Sequence, residues 1–66
     1  MQITVNGQSR DVDDRATVAE LLVELRLTEK PVAVEVNRQL VPKQCHGQHR
    51  LAGGDCVEIV TLVGGG

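Results

Sequence analysis

The stretch that decides the fold is "CVEIVTLVGGG", which runs from Cys56 to Gly66. Its first part, Cys56 to Val63, is the longest apolar run in the chain and predicts a strand. Strand alternation places Val57, Ile59 and Thr61 on one face of that strand. The opposite face then holds Cys56, Glu58, Val60 and Leu62.

The start of the chain supplies a second strand. Met1 to Val5 alternates apolar and polar residues, as a half-buried strand does. Asn6-Gly7 tolerates positive φ and is the strongest short hairpin signal, so a weaker return strand should follow from Gln8 to about Val12. The first and last strands are the most apolar, and a crossover separates them. We therefore expect them to lie side by side and parallel in the middle of a sheet.

One helix is predicted between these strands. Thr17 and Glu20 have the spacing of a capping box, in which each side chain accepts a hydrogen bond from the other residue's backbone. Pro31 cannot continue a helix, so the helix should end before it, near Arg26. The apolar residues behind the cap recur at helical spacing and form one stripe: Val18, Leu21, Leu22 and Leu25.

The remaining segments complete an α+β pattern. Val32 to Val36 is a clear strand, a turn at Asn37 to Gln39 follows, and Leu40-Val41 starts back before Pro42. We expect the segment from Lys43 to His49 to be irregular, Leu51 to enter the core, and Gly53-Gly54-Asp55 to form a turn. The prediction is a mixed sheet of four to five strands with one helix on one face, which is a β-grasp arrangement. It comprises a domain over 1–63 and a flexible glycine tail over 64–66.

Composition excludes several function classes. The 66 residues allow one small domain, contain no aromatic residue and carry a formal charge of −2. Aromatic platforms for single-stranded nucleic acid and a basic phosphate-binding surface are therefore lacking, and we expect no nucleic-acid partner. No apolar stretch approaches the ~20 residues of a membrane helix, and no signal peptide is visible. We expect a cytoplasmic protein without a membrane partner, whose Cys45 and Cys56 are reduced thiols.

No group in the body of the domain predicts catalysis or metal binding. Cys45, His46 and His49 lack a standard zinc spacing, and we interpret them as solvent-facing loop side chains. Nothing in the sequence positions a base or an oxyanion hole beside a cysteine. Gly53-Gly54 lacks the lysine of a phosphate-binding loop and is read as a plain turn.

Two features have open interpretations. The terminal glycines are either a frayed end or the working part of the protein, because glycine has no side chain to clash in a narrow enzyme channel. In the functional interpretation the carboxylate of Gly66 is the reactive group. Val60 and Leu62 are either covered by loops or exposed beside the tail as a partner surface.

A family resemblance spans the whole chain. It rests on "VEVNRQLVPK" (Val34 to Lys43), "LAGGDCVEIV" (Leu51 to Val60) and the closing "LVGGG", together with "MQITVNGQ" and the helix "TVAELLVEL". In this order and length they resemble the ThiS-type sulfur carriers of thiamine biosynthesis. The resemblance implies a ubiquitin-like β-grasp fold and a carrier that is not itself an enzyme.

The resemblance also implies a chemistry for the tail. A ThiF-like adenylyltransferase would use MgATP to adenylate the carboxylate of Gly66, so the carrier itself would bind no cofactor. Sulfur from a cysteine desulfurase persulfide would replace AMP and give a thiocarboxylate. A ThiG-like thiazole synthase would then take up that sulfur. Gly65 would carry the tail through the channel, with Gly64 as a further residue of the flexible lead.

Three other functions remain open at this point. The small sulfur-carrying subunit of molybdopterin synthase shares the fold and tail, although such chains tend to be longer and richer in aromatics. A ubiquitin-like protein modifier would use the same adenylate but would end in an isopeptide bond to lysine. A β-grasp binding module with an inert tail is the third.

Overall fold

The structure is a computed structural model of the chain, and it describes residues 1–62. Within this range the secondary structure follows the predicted order. Five strands, one α-helix and one short 3₁₀ helix are present in residues 1–62: β1 (Gln2–Val5), β2 (Gln8–Asp11), α1 (Val18–Glu24), β3 (Val32–Val36), β4 (Gln39–Val41), the 3₁₀ helix (Lys43–Cys45) and β5 (Cys56–Thr61).

The strands form one mixed sheet in the order β2-β1-β5-β3-β4. β5 is the central strand. It pairs in parallel with β1, where Thr4 lies opposite Cys56, and antiparallel with β3 over the full length of β3. The predicted parallel pairing of the first and last strands is confirmed. Since α1 covers one face of the sheet, the other face is left open.

The helix forms where its capping box predicts. The Glu20 N–H donates to Thr17 Oγ1 at 3.2 Å, and the Thr17 N–H donates to Glu20 Oε1 at 2.9 Å. These two bonds satisfy backbone donors that have no partner inside the helix. The helix ends at Glu24 and is capped by Leu25, and Arg26 takes a φ of 60°. The predicted end near Arg26 is therefore correct to within two residues.

The core lies between α1 and the covered face of the sheet. Leu51 is 4% exposed, which confirms that it enters the core from outside the regular elements. Burying each such aliphatic side chain contributes about 1.5–3 kcal/mol before the entropy of ordering is subtracted. The most deeply buried members of this core are Ile3, Val18, Leu21, Val34 and Val57.

The segment from Lys43 to His49 differs from its prediction. It contains the 3₁₀ helix, and His46 is buried, so the interpretation of His46 as a solvent-facing side chain is wrong. The ring Nε2 of His46 lies 3.0 Å from the Val41 carbonyl oxygen, and the Ala19 N–H donates to the His46 carbonyl at 3.0 Å. His46 thus fastens this segment to β4 and to the first turn of α1.

The N-terminal ammonium is held beside the end of β2. It donates to the Val12 carbonyl at 2.7 Å and to Asp14 Oδ1 at 3.0 Å. The hydrogen bond with Asp14, aided by the negative charges of Asp14 and Asp11, raises the pKa of the Met1 ammonium above its ordinary value of 8.0. Of the helices in residues 1–62, none has the length and apolar character needed to cross a bilayer.

Candidate functional site

The end of β5 is where the glycine tail begins, and this part of the strand projects beyond its parallel neighbour. The β1–β5 register ends at Val5 and Val57, whereas β5 continues to Thr61. On the other side, β3 stays paired with β5 as far as Val32 and Thr61. The part of the sheet nearest the tail is therefore supported mainly from the β3 side.

On the β3 side, one backbone hydrogen bond is the last of the antiparallel ladder. The Leu62 N–H donates to the Pro31 carbonyl at 2.8 Å. Proline has no N–H to return, so the antiparallel ladder cannot be extended past this point. This explains why Leu62 is not part of the strand, although the sequence predicts the strand to continue through it. Val63 and the tail residues Gly64, Gly65 and Gly66 lie outside the described residues, so their predicted role stays a prediction.

Beyond β1, a side chain supports β5. The Asn6 amide bonds the backbone of Ile59 with both of its polar atoms, Oδ1 at 2.8 Å and Nδ2 at 3.1 Å. From the sequence, Asn6 is predicted only as a turn residue. Nothing in the sequence pairs it with a residue 53 positions away, so this contact was missed.

The open face of the sheet carries the predicted apolar patch. Val60 is 59% exposed and Leu62 is 50% exposed, which settles their exposure in favour of the open alternative. Leu40, at 64% exposure, lies on the same face in β4, and Ala33 stands directly opposite Val60. We define Val60 and Leu62 as the exposed apolar patch, because Leu40 stands opposite Glu35 and therefore lies further from the tail. Its role as a partner surface remains a prediction.

Two carboxylates lie beside this patch. Glu35 and Glu58 are directly opposite each other on β3 and β5, and both are exposed. Like charges at such a cross-strand position are unfavourable. No lysine, arginine or histidine within residues 1–62 lies within salt-bridge distance of either carboxylate. The open face therefore has an apolar part near the tail and an acidic part further back along β5.

A cavity of about 350 Å³ lies on the other side of the end of β5. Arg10 is the one ionisable residue among its described lining residues, and its guanidinium lies 3.6 Å from Glu24 of α1. Asn6, Gln8 and Thr61 also line it. An arginine next to amides and hydroxyls can bind a ligand, but these groups do not supply a nucleophile together with a general base.

The other candidate groups are separated or structural. Cys45 and Cys56 are free thiols, one partly buried and one exposed. Within residues 1–62 no cluster of three or more potential metal ligands is found. Gly54, with a φ of 87°, forms the predicted turn before β5.

The family of the chain is shown by its similarity to known proteins. The model of the ThiS family matches residues 3–66, which is almost the whole chain. The chain belongs to the ThiS family.

Its relatives carry two kinds of name. Sulfur carrier protein ThiS of Escherichia coli is 33% identical over 66 residues, and the match covers both chains in full. A thiazole synthase of Paramagnetospirillum magneticum is 41% identical over 66 residues, but the match covers 20% of that protein. The chain thus spans the full length of one relative and about a fifth of the other.

A solved structure shares the fold. The crystal structure of the thiamine biosynthesis protein ThiS from Geobacter metallireducens superposes with a TM-score of 0.84, at 33% identity and with both chains covered completely. This likeness confirms the predicted ubiquitin-like β-grasp fold and the resemblance to ThiS-type proteins.

Proposed function

We propose that this ThiS-family chain is a sulfur carrier for thiamine biosynthesis and that the carboxylate of Gly66 is its working group. The observation that carries the proposal is the family match, which covers residues 3–66 and so includes the glycines that follow the central strand in the sequence. The chain is then not an enzyme but a protein co-substrate, on which partner enzymes act. We place the reaction in the cytoplasm, where MgATP is available.

The chemistry proceeds in steps that conserve atoms and electrons. A Gly66 carboxylate oxygen attacks the α-phosphorus of ATP in a ThiF-like adenylyltransferase, and pyrophosphate leaves. The persulfide sulfur of a cysteine desulfurase then attacks the acyl carbon, and AMP leaves. A reductant thiol then attacks the desulfurase cysteine sulfur of the resulting acyl disulfide, the S–S bond breaks, the thiocarboxylate leaves, and the thiol remains in a mixed disulfide with that cysteine, which a second thiol reduces. MgATP belongs to the activating enzyme, and the carrier binds no cofactor of its own.

The tail residues suit passage into an enzyme. Gly64, Gly65 and Gly66 have no side chains, so another protein's backbone can enclose them closely. The body of the domain keeps the reactive end attached while the sulfur is handed over. Recognition and delivery come from the carrier, and catalysis comes from its partners.

A ThiG-like thiazole synthase is the proposed acceptor of the sulfur. Support comes from the relatives named thiazole synthase, in which a stretch like this whole chain forms about a fifth of a longer protein. Carrier and synthase sequences in one polypeptide are expected when the two act together.

The exposed apolar patch is the proposed docking surface for these enzymes. Val60 and Leu62 lie on the open face directly before the tail, so a partner that binds there receives the tail at its own active site. Replacing either residue by aspartate should weaken the interaction while leaving the core intact. Ser9→Asp provides a matched control for the added charge, since Ser9 is exposed on the same face of the sheet, on strand β2 away from β5.

The experiment that tests the function measures intact mass. The chain is incubated with a ThiF-like enzyme, MgATP, a cysteine desulfurase with cysteine, and a thiol reductant. We expect a mass gain equal to the difference between sulfur and oxygen. Deleting Gly65 and Gly66 should abolish the gain and leave the unfolding transition unchanged. No mass gain with enzymes that are active on their own carrier would refute the proposal, and high-mass conjugates in cell extract would indicate a protein modifier.

A further inference from the structure

The side chain of Asn6 replaces a missing piece of strand β1. In a continuous parallel ladder, the Ile59 N–H would donate to the backbone carbonyl of residue 6, and the next N–H of β1 would donate to the Ile59 carbonyl. The chain cannot provide these groups because it turns away at Asn6 and Gly7, whose φ angles are 50° and 82°.

The Asn6 amide supplies both groups instead. The Ile59 N–H donates to Asn6 Oδ1 at 2.8 Å, and Asn6 Nδ2 donates to the Ile59 carbonyl at 3.1 Å. The backbone N–H of the same residue donates to the Val57 carbonyl at 2.9 Å. A side-chain amide has the donor and acceptor of a peptide unit, so β5 is paired for one unit beyond the end of its neighbour.

The same device is present at the start of β5. Asn37 also has a left-handed φ, 52°, at the turn after β3. Its backbone N–H donates to the Cys56 carbonyl at 2.8 Å, and its Oδ1 accepts from the Cys56 N–H at 3.0 Å. Its Nδ2 donates to Asp55 Oδ1 at 3.0 Å, within the turn that precedes the strand.

The two asparagines differ in what they hold. Asn37 holds a turn that connects two parts of the fold. Asn6 holds Ile59, three residues before Leu62, where the described chain ends and the sequence continues to the tail. On the β3 side, the hydrogen bond from the Leu62 N–H to the Pro31 carbonyl has the corresponding role. Asn6 is thus the residue that holds the last part of β5 on the β1 side.

We infer that Asn6 is a positioning residue for the reaction at the C-terminus. By fixing β5 at Ile59 from the β1 side, it holds Val60 and Leu62, the exposed apolar side chains that follow, in one arrangement for a docking enzyme. A docked partner then meets an ordered surface beside the start of the tail sequence, so less conformational entropy is lost on binding. This inference rests on the proposed function.

The experiment compares Asn6→Gly with Asn37→Gly. Glycine takes a positive φ without strain, so each substitution removes the side-chain amide and leaves the turn geometry possible. Pyrophosphate release by a ThiF-like adenylyltransferase with MgATP gives kcat and KM for each carrier, at a temperature where both variants are folded. We expect kcat/KM to fall about tenfold for Asn6→Gly, mainly through KM, and by less than about twofold for Asn37→Gly. Asn6→Asp keeps the acceptor but loses the donor and should lie between wild type and Asn6→Gly.

A second measurement follows the strand itself. Amide hydrogen exchange at Ile59 and Leu62 should accelerate in Asn6→Gly by more than its loss of global stability accounts for, and in Asn37→Gly by no more than its loss of global stability. Equal kinetic losses in the two glycine variants, or unchanged exchange at Leu62 in Asn6→Gly, would overturn the inference while the wild type remains a working carrier. A wild-type chain that the activating enzyme does not adenylate would overturn both the inference and the proposed function.

Discussion

The two ends of β5 are built with the same device and serve different purposes. At the start, Asn37 pairs with Cys56, and at the finish, Asn6 pairs with Ile59. Each asparagine takes a left-handed backbone conformation, which this residue type tolerates. Because the backbone turns there, its peptide group no longer faces β5, and the side-chain amide makes the hydrogen bond instead.

The Asn37 and Asn6 contacts differ in which part of the chain lies next to each of them. The start of β5 leads back into the fold through the turn at Gly53 and Gly54, so its fixation contributes to stability alone. The finish leads towards the tail and lies beside exposed apolar side chains. The same kind of contact therefore stabilises a turn inside the fold at one end of the strand and, in the role inferred for Asn6, holds a docking surface at the other.

The largest expected effect is a difference in the free energy of unfolding between substitutions on the two faces of β5 near its C-terminal end. Ile59 is 7% exposed and packs in the core, whereas Val60, the next residue, is 59% exposed. Ile59→Ala should lower the free energy of unfolding by about 3 kcal/mol, because it leaves a cavity. Val60→Ala should change it by at most about 0.5 kcal/mol. Urea denaturation measures both, and comparable losses would show that the open face is part of the core.

The next effect compares the asparagines as stabilising groups. Asn6→Gly and Asn37→Gly each remove two side-chain hydrogen bonds, so each should lower the free energy of unfolding by about 1–2 kcal/mol. Similar losses in thermal and urea unfolding would confirm that the two contacts are structurally equivalent. A loss of stability in only one of the two variants would show that the two contacts are not structurally equivalent.

A smaller effect concerns the acidic part of the open face, midway along β5. Glu58→Gln removes the like-charge contact with Glu35 and should raise the free energy of unfolding by about 0.5 kcal/mol at low salt. The gain should shrink as salt screens the wild-type repulsion. Glu29→Gln is the matched control, since Glu29 is exposed and lies outside the sheet. An equal gain in the control would attribute the effect to net charge.

The smallest effect is a pH dependence near the start of β5, where the Met1 side chain approaches Gly53. The folded-state pKa of the Met1 ammonium is raised above 8.0, chiefly by the hydrogen bond with Asp14. The charged group therefore contributes its stability fully below about pH 8, and that contribution is lost as pH rises through the folded-state pKa. The Tm should fall from about pH 7 to about pH 10, and Asp14→Asn should reduce this fall. An identical pH profile in the variant would contradict the prediction.

The sequence by itself determined the local elements. The capping box at Thr17 and Glu20 fixed where the helix begins, because both partners lie within one helical turn. Alternation in "CVEIVTLV" fixed which side chains of β5 share a face, because the side chains of any strand point to opposite faces in turn. The Asn6-Gly7 signal fixed the first hairpin, since that dipeptide readily adopts positive φ.

The tertiary structure decided which distant groups meet. The burial of His46 depends on where Val41 and α1 lie, and the strand stops at Thr61 because Pro31, far away in the sequence, has no N–H to continue the ladder. The Asn6 contact to Ile59 requires β1 and β5 to be parallel neighbours in one register. Local sequence sets backbone preference and periodicity, but hydrogen bonds across a sheet exist only once the order and offset of its strands are set.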